Sequence, residues 1–512
     1  MSNVTGSSLA AGTFVGLRNE VINPSVSVLK RKIVIVGVAD ATKLSGGLTV
    51  DTPRMVSSAE EVGAIAGRGS QIHRLAIATY RGSQGVEAWI IPQAEGGADA
   101  AAEGTITVTT TSTESGTIAL YVNGIRIAVN VATGDDESAI AAAIVDSVTA
   151  NMDLPVTASA ALGVVTLTAK SKGSFGNDIS ITTNLNQGDF DVVGVSLAIV
   201  DMAGGTGVGD ITLALAAMGE GDSANENHYT AMVHGYGVDT TTLNAISQYV
   251  GEGNTTTGCY DKLNGRFFRS LVCSVDNDLA AEVVISDGRK YDRTNGLLVV
   301  PNSPSHPSEI AALAMGMMER VNTNLPNGSY FDMVLEGVYA GATRWCDSWD
   351  SRDIAVRSGI SPTAVKSGAV VLQNVITFYR PDSVASANNG YRSMRNISIS
   401  QNIVYGNRVF FSQENWQNVT IVSDVTRVTN PAARARAKDI QAVKDSVLFL
   451  ARSYEGMGYL YSIDPTVAGL GEDGSVVVRA GGTGFDYTMK VVYSGEGGIL
   501  NNDVLFDINF SG

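Results

Sequence analysis

Histidine and serine are the residues of this sequence that catalysis or metal binding would use first, and their spacing decides which chemistry is available. The four histidines are His73, His228, His234 and His306, and none forms an H-x-x-x-H or H-E-x-x-H pair. His228 and His234 flank one predicted strand, but two histidines alone are a poor zinc site. No G-x-S-x-G segment supplies a serine nucleophile. We therefore predict no catalytic residue, no metal site and no cofactor, and we predict that the chain is not an enzyme.

Two other segments resemble ligand-binding loops only in part. GGTGVG (204–209) lacks the Lys and Ser/Thr of a phosphate loop and does not directly follow a clear strand with dinucleotide-binding spacing. We interpret it as a linker. DSWDSRD (347–353) clusters acidic residues near Trp345 and Trp349, but it lacks the ordered oxygen spacing of a calcium loop. We interpret it as a solvated loop.

The cysteines indicate a reducing compartment. Cys259, Cys273 and Cys346 are odd in number, widely spaced and without a C-x-x-C pair. We interpret them as reduced, buried thiols in a protein made in the cytoplasm, with a disulfide between subunits as the alternative.

Charge and hydropathy exclude two classes of partner. The 512-residue chain has a formal net charge of -16, which argues against non-specific nucleic-acid binding. Residues 1–12 lack the basic start and apolar run of a secretion signal. The longest apolar run, residues 33–39, is far shorter than the ~20 residues that a membrane helix needs. We expect no nucleic-acid partner and no direct membrane insertion.

The predicted elements alternate between strands and helices, with a β-rich insertion. Strands are predicted over 32–39, 87–92, 267–273 and 297–300, with helices over 71–80 and 308–322 and Ser308 as a helix cap. Between residues 95 and 203, Asn123-Gly124 separates two alternating runs and predicts a hairpin, followed by a helix over 135–150. This unit of ~95 residues is near the lower size of an independent domain.

The C-terminal part contains a strand over 369–377, a basic helix and an alternating terminal run. One helix is predicted over 431–453, with Arg434 and Lys438 four residues apart on one face. At the terminus, Val504, Phe506, Ile508 and Phe510 share one face of a predicted strand, because successive side chains of a strand alternate.

Three segments in combination resemble contractile tail sheath proteins of the Mu-like branch. SSAEEVGAIAGRGSQIHRLAIATYRGSQGVEAWIIPQ (57–93) has the family's order of helix, glycine, helix, strand and proline. GTIALYVNGIRIAVNV, SAIAAAIVDSVTANMDLPVTA and VVTLTAKSKGSFGNDISI resemble that branch's insertion in order and spacing. SGAVVLQNVITFYRPD (367–382) resembles the strand that opens the family's C-terminal domain.

The resemblance implies an α+β or α/β multidomain tail-sheath fold with a β-rich inserted domain. The implied parts are an extended N-terminal arm (1–30), a discontinuous sheath domain (31–94 and 204–365), an inserted outer domain (95–203), an inner tube-facing domain (366–501) and a donated strand (502–512). Terminal arms of such subunits complete β-sheets in neighbouring copies.

The function implied is that of a structural subunit in a virion. Subunits stack as hexameric rings around a tail tube and contract to drive the tube through the host envelope. The implied partners are further copies of the chain, the tail tube protein, and baseplate and tail terminator proteins. Assembly takes place in the host bacterial cytoplasm.

Two sets of residues are candidates for the contacts of such a subunit, the strand residues mainly from the resemblance and the basic residues from their clustering in an acidic chain. Inter-subunit strands are expected at Val504, Phe506, Ile508 and Phe510, and at Val26 and Val28, with an internal edge strand as the alternative. Tube contact is expected at Arg434, Arg436, Lys438 and Lys444, with a solvated helix face as the alternative. Two rival functions stay open: a secreted or surface β-rich adhesin or array protein, and the sheath of a bacteriocin or injection system.

Overall fold

The computed structural model describes residues 27–218, 228–251, 265–380, 389–461, 463, 476–479, 482 and 484–495. The chain divides into two compact units, of which the first is built on residues 30–402 and the second on residues 403–491. In the described part, no helix is both long and apolar enough to cross a bilayer.

The first unit opens with the predicted alternation of strands and helices: β1 (Lys32–Ala39), β2 (Arg54–Val56), α1 (Ala59–Ala66), α2 (Gln71–Ser83) and β3 (Glu87–Ala94). A reciprocal cap starts α1, because the Ser58 side chain accepts a bond from the Glu61 amide and the Glu61 carboxylate accepts one from the Ser57 amide. Every residue of β1 after Lys32 is buried, as its apolar sequence predicts for a strand covered on both faces.

Residues 103–203 form the β-rich insertion: β4 (Glu103–Val108), β5 (Gly116–Val122), β6 (Ile125–Val131), α3 (Glu137–Ala150), β7 (Val156–Ala161), β8 (Val164–Ala169), β9 (Ile181–Thr183) and β10 (Leu197–Ala203). They build two sheets, in the orders β10-β4-β8-β7 and β6-β5-β9, around one apolar core. Asn123 and Gly124 join β5 to β6 with φ of 56° and 70°. This left-handed turn confirms the predicted hairpin.

After the insertion the chain returns to the first sheet: α4 (Ile211–Met218), β11 (Ala231–His234), α5 (Thr240–Val250), β12 (Arg269–Ser274), α6 (Leu279–Asp287), β13 (Asn295–Val299), α7 (Pro307–Asn324), α8 (Trp349–Arg357), β14 (Ile360–Lys366) and β15 (Ala369–Leu372). The strand order is β15-β14-β13-β12-β11-β1-β3-β2. The strands from β14 to β3 run parallel, and β15 and β2 are antiparallel edges.

A buried ion cluster ties this sheet to α7. The Arg269 guanidinium pairs with the Glu319 carboxylate, both side chains are fully buried, and Arg31 Nε lies 3.9 Å from the same carboxylate. Thr230 Oγ1 donates to Glu319 at 2.9 Å. Burial opposes ionisation of Glu319, but the charges of Arg269 and Arg31 outweigh it and hold the pKa of this carboxyl below its usual value.

Several predicted elements are wrong in detail. The cap of α7 is His306, whose Nδ1 accepts the Ser308 amide at 3.2 Å, so Ser308 is not the cap. Residues 349–353, predicted as a solvated loop, open α8 behind a Ser348 cap. β15 pairs with β14 across the left-handed turn at Ser367-Gly368. The strand expected to open the C-terminal domain therefore lies in the sheet of the first unit, because so short a turn leaves β14 as its neighbour.

The described elements of the second unit are α9 (Met394–Phe411, whose first part lies in the first unit), β16 (Thr420–Ile421), α10 (Pro431–Arg436), β17 (Ala437–Lys438), α11 (Ile440–Gly456), β18 (Val476–Val478) and β19 (Phe485–Tyr487). Its small core places Val443 and Val447 of α11 against Val476 of β18, with Phe411, Trp416 and Tyr487 packed around them.

Candidate assembly surfaces

The basic segment of the second unit lies on α10 and on the residues that follow it. Asn430 Oδ1 accepts the amides of Ala432 and Ala433 at 3.0 and 3.4 Å, and Pro431 occupies the first helical turn. This cap and the proline start a helix here. Arg434 and Arg436 are exposed, and neither makes an ion pair within the part of the chain that the structure describes.

The single helix predicted over 431–453 is wrong, because two helices form. Ala437 and Lys438 leave the helix and pair in parallel with Thr420 and Ile421. Asp439 Oδ1 then accepts the Ala442 amide at 2.9 Å and caps α11. Arg434 and Lys438 therefore do not share a helix face.

The four candidate cations consequently differ in environment. Lys438 is half-buried, with its Nζ 5.0 Å from the centre of the Trp416 ring, a cation–π contact that holds it within its own unit. Lys444 is half-buried on α11. Arg434 and Arg436 are the two that extend into solvent, so they are the better candidates for contact with a partner.

The second unit also differs from the whole chain in charge. Residues 403–491 contain nine basic and nine acidic residues, whereas the whole chain has a net charge of -16. The acidic surplus therefore lies outside this segment, and an exposed pair of arginines here is not surrounded by excess carboxylates.

The proposed strand-exchange residues fall mostly outside the described part of the chain: Val26, Val504, Phe506, Ile508 and Phe510. Val28 is described, and its side chain is 49% exposed and outside any strand. β18 and β19 form an antiparallel pair in which Val476 faces Tyr487. Val477 and Val478 are exposed at 44% and 40%. Two short strands alone are marginally stable, so this sheet would gain from a further strand.

The crevice where a parallel sheet of this kind would bind a ligand is filled by the chain itself. β3 and β11 lie on opposite sides of β1, so the switch point is at the carboxyl ends of β1 and β11. There, Gln71 Oε1 accepts the Val38 amide and its Nε2 donates to the Gly235 carbonyl, each at 2.7 Å. Beside it, the Tyr236 hydroxyl donates to Gln93. No sequence pattern singled out Gln71 for this bridging position.

The glycine-rich segment 204–209 serves as a linker, as predicted. Gly205 N donates to Asn177 Oδ1 at 2.8 Å, Thr206 N donates to the Ala100 carbonyl at 3.1 Å, and the Gly207 carbonyl accepts the Ser174 amide at 2.8 Å. Its backbone groups are thus used to close the base of the insertion.

The four histidines are dispersed and make structural contacts. Burial lowers the pKa of His73 and of His234 to about 4, so both are neutral at pH 7. His73 Nδ1 accepts the Gly69 amide at 2.9 Å, His228 Nε2 lies 2.9 Å from the Phe267 carbonyl, and His306 caps α7. Among the described residues, no three histidine, cysteine or acidic side chains are grouped closely enough to hold a metal ion.

Two of the three cysteines lie within the described part, and both are buried free thiols. Burial raises the pKa of Cys273 and of Cys346, so these thiols are poor nucleophiles at neutral pH. Cys259 lies outside the described residues.

Comparison with known proteins adds evidence independent of this geometry. No family model matches the chain. It is 23% identical over 404 residues to the tail sheath protein of the Mu-like prophage FluMu from Haemophilus influenzae, which covers 78% of each chain. The resemblance to Mu-like tail sheath proteins is confirmed.

Solved structures of sheath proteins are also similar to the chain. The sheath tail protein of Desulfitobacterium hafniense aligns with a TM-score of 0.43 at 11% identity, covering 94% of this chain and 100% of the other. The sheath tail protein Lin1278 of Listeria innocua aligns with a TM-score of 0.43 at 12% identity, covering 92% and 94%. Because the chain resembles Mu-like sheath proteins, the exposed arginines of α10 and the two-stranded sheet β18–β19 are candidate assembly contacts.

Proposed function

We propose that this chain is the structural subunit of a contractile tail sheath. In this proposal it polymerises as stacked hexameric rings around a tail tube and contracts to drive the tube through the host envelope. The observation that carries the proposal is the 23% identity to a Mu-like prophage tail sheath protein over 78% of both chains.

Strand exchange links the copies in this proposal. The pair β18–β19 has too few strands to be stable by itself, and an alternating strand such as Val504, Phe506, Ile508 and Phe510 of another copy would extend it. Main-chain hydrogen bonds of an added strand supply affinity, and its alternating side chains fix the register. Val26 and exposed Val28 are the second candidate for donation.

Tube contact falls to Arg434 and Arg436, with smaller contributions from half-buried Lys438 and Lys444. An exposed ion pair is weak and screened by salt. Summed over many subunits, such contacts guide assembly on an acidic tube surface. Each contact alone is weak enough to let the sheath slide during contraction.

The proposed role is non-enzymatic. Contraction needs no bond cleavage if the extended lattice is metastable, since rigid domains then rotate about tethering arms when the strain is released. The Gln71 bridge at the switch point also favours a structural role, because it closes the position at which α/β enzymes bind their ligands.

The remaining partners follow from the same proposal: the tail tube protein, a baseplate and a tail terminator, with the chain located in the virion after assembly in the host cytoplasm. A bacteriocin or injection-system sheath would use the same contacts. An adhesin would not need an inner basic surface or a filled crevice.

Electron microscopy of the purified full chain tests the central claim. Hollow tubes are expected from the wild-type protein, and a variant ending at Leu500 should lose them. Only dispersed monomers from the wild type would contradict the sheath function. Normal tubes from the truncated variant would contradict strand exchange by residues 501–512 alone.

A second experiment tests the tube contact. The double variant Arg434→Glu and Arg436→Glu should still form empty tubes but should fail to assemble on purified tail tube at low salt. Arg452→Glu, which changes an exposed arginine of α11, is the matched control. Equal co-assembly of the double variant and the control would assign Arg434 and Arg436 to a solvated face.

A further inference from the structure

Helices α2 and α7 cross as closely as their backbones allow. A β-carbon on Gly82 would lie 2.4 Å from the Leu313 carbonyl oxygen, and one on Gly316 would lie 2.5 Å from the Thr79 carbonyl oxygen. Glycine is required at both positions, since no side chain fits there. The crossing fixes the positions of Arg81, next to Gly82, and of Arg320, one turn after Gly316.

These two arginines line an open cleft of about 170 Å³ beside the crossing. The segment after Phe331 supplies the opposite wall, including exposed Glu336 and Val334, which is 41% exposed. The rest of the lining is apolar: Leu313, Met317 and Met333. The cleft therefore offers two cations and one carboxylate on an otherwise apolar surface.

Neither arginine makes a close ion pair within the described part of the chain, although the more distant charges of Glu309 and Glu336 act on Arg81. Arg81 and Arg320 make no ion pair and no side-chain hydrogen bond there. Other arginines of this unit are paired with carboxylates, such as Arg68 with Asp153 at 2.7 Å and Arg74 with Glu309 at 2.6 Å. Arg81 is exposed and Arg320 is half-buried, and burial of part of the Arg81 side chain lowers its pKa. A cation in such a place gains from a carboxylate that replaces lost water.

We propose that the Arg81–Arg320 cleft binds a carboxylate side chain of a second copy of this chain. The inference deepens the proposed sheath function and rests on it. The chain contains 51 acidic and 35 basic residues, and residues 403–491 are balanced, so the surplus lies outside that segment and mostly in the unit that carries the cleft. Neighbouring copies would repel each other unless exposed cations accept their carboxylates.

Suitable donors exist on the same unit. Glu137 and Asp146 on α3 are exposed, and neither forms an ion pair within the described residues. The apolar wall favours a carboxylate on a polypeptide over a free anion, because Met317 and Met333 can pack against the stem of the side chain that carries it.

Glu336 lets an experiment test the direction in which charge in the cleft changes association. Its exposed carboxylate repels an incoming carboxylate, so it weakens the contact that the two arginines create. Glu336→Gln should therefore strengthen association, whereas the arginine variants should weaken it.

The test measures the protein concentration needed for tube formation by the full chain, using sedimentation and electron microscopy. Arg81→Gln with Arg320→Gln should raise this concentration by about tenfold or more, since loss of a partly buried charge pair is costly. Glu336→Gln should lower it, and Lys172→Gln, an exposed cation of the insertion, should leave it unchanged. Circular dichroism melting curves check that each variant is folded.

Cross-linking keeps the test independent of whether the double variant folds. A photoreactive phenylalanine at position 334 in the otherwise wild-type chain should cross-link to a peptide of a second copy that contains an acidic residue. An unchanged threshold in the folded double variant, or cross-links only within one chain, would overturn the cleft contact while leaving the sheath function intact. A wild-type chain that forms no tubes would overturn the sheath function, and this inference with it.

Discussion

Glu282 offers a stability test that works from one buried carboxyl group. It lies on α6, and its side chain is 1% exposed. Burial, helped by the charges of Asp276 and Asp278 and opposed by the Ser274 hydroxyl, raises the pKa of Glu282 to about 7. We predict that Glu282→Gln stabilises the protein at alkaline pH and not at acidic pH.

The magnitude follows from linkage between protonation and folding. The ordinary pKa of 4.5 becomes about 7 in the folded chain. The folded state therefore binds more protons than the unfolded state between these values, and stability falls as pH rises through that window. Each pKa unit corresponds to about 1.4 kcal/mol, so the full penalty above pH 7 is about 3 kcal/mol. Below pH 4.5 the carboxyl group is neutral in both states and the penalty is absent.

Thermal and denaturant unfolding at pH 4.5 and pH 8.5 would measure the effect. The difference between variant and wild type should be about 3 kcal/mol more favourable to the variant at pH 8.5 than at pH 4.5. Comparing the two pH values removes any constant effect of the amide. Glu137→Gln, an exposed glutamate on α3, is the matched control. An equal effect of Glu282→Gln at both pH values would show that this carboxylate is solvated or paired, contrary to the argument.

Three further substitutions test the fold by unfolding measurements on the full chain. Glu319→Gln should lower the free energy of unfolding by about 3–5 kcal/mol, because it leaves Arg269 and Arg31 buried without a counter-charge. Asp353→Asn, which breaks the exposed pair with Arg357, should lower it by less than about 1 kcal/mol. Similar losses in the two variants would contradict the buried cluster. Gly124→Ala should destabilise the insertion by about 1–2 kcal/mol, because φ at this position is +70°. Gly97→Ala, which has open space around it, should leave the stability nearly unchanged. Equal effects of the two substitutions would refute the hairpin geometry. Asp439→Ala should cost about 1 kcal/mol through loss of the α11 cap, and an unchanged midpoint would indicate that the helix does not begin there.

Local sequence signals located most of the elements of the first unit. β1 has a run of apolar β-branched residues whose burial needs no knowledge of the rest of the chain. Asn123-Gly124 permits a two-residue left-handed turn, so the hairpin and its register followed from two residues. These signals are strong because each depends on backbone geometry that few residue types allow.

Other features depended on contacts that are distant in sequence. The break between α10 and α11 requires Ala437 and Lys438 to pair with Thr420 and Ile421, which a helical pattern over 431–453 conceals. Asp439 could have indicated the break, because aspartate is a preferred residue at the start of a helix, where its side chain accepts the backbone amide three residues later. The Gln71 bridge and the Arg81–Arg320 cleft depend on how helices cross and strands are ordered, so no local pattern contains them.

The distribution of charge connects these surfaces to assembly. Because the net charge of -16 lies outside residues 403–491, copies of the chain that approach through the remaining surface repel each other at long range. Screening at physiological salt limits that repulsion to about 8 Å, so it opposes approach but not contact once partners fit. In the proposed sheath the contacts between copies are therefore short-range: main-chain bonds of an added strand, or a carboxylate placed against Arg81 and Arg320. A proposed lattice of this kind would resist random aggregation of free subunits and would still form where the geometry is correct, as ordered growth of a sheath requires.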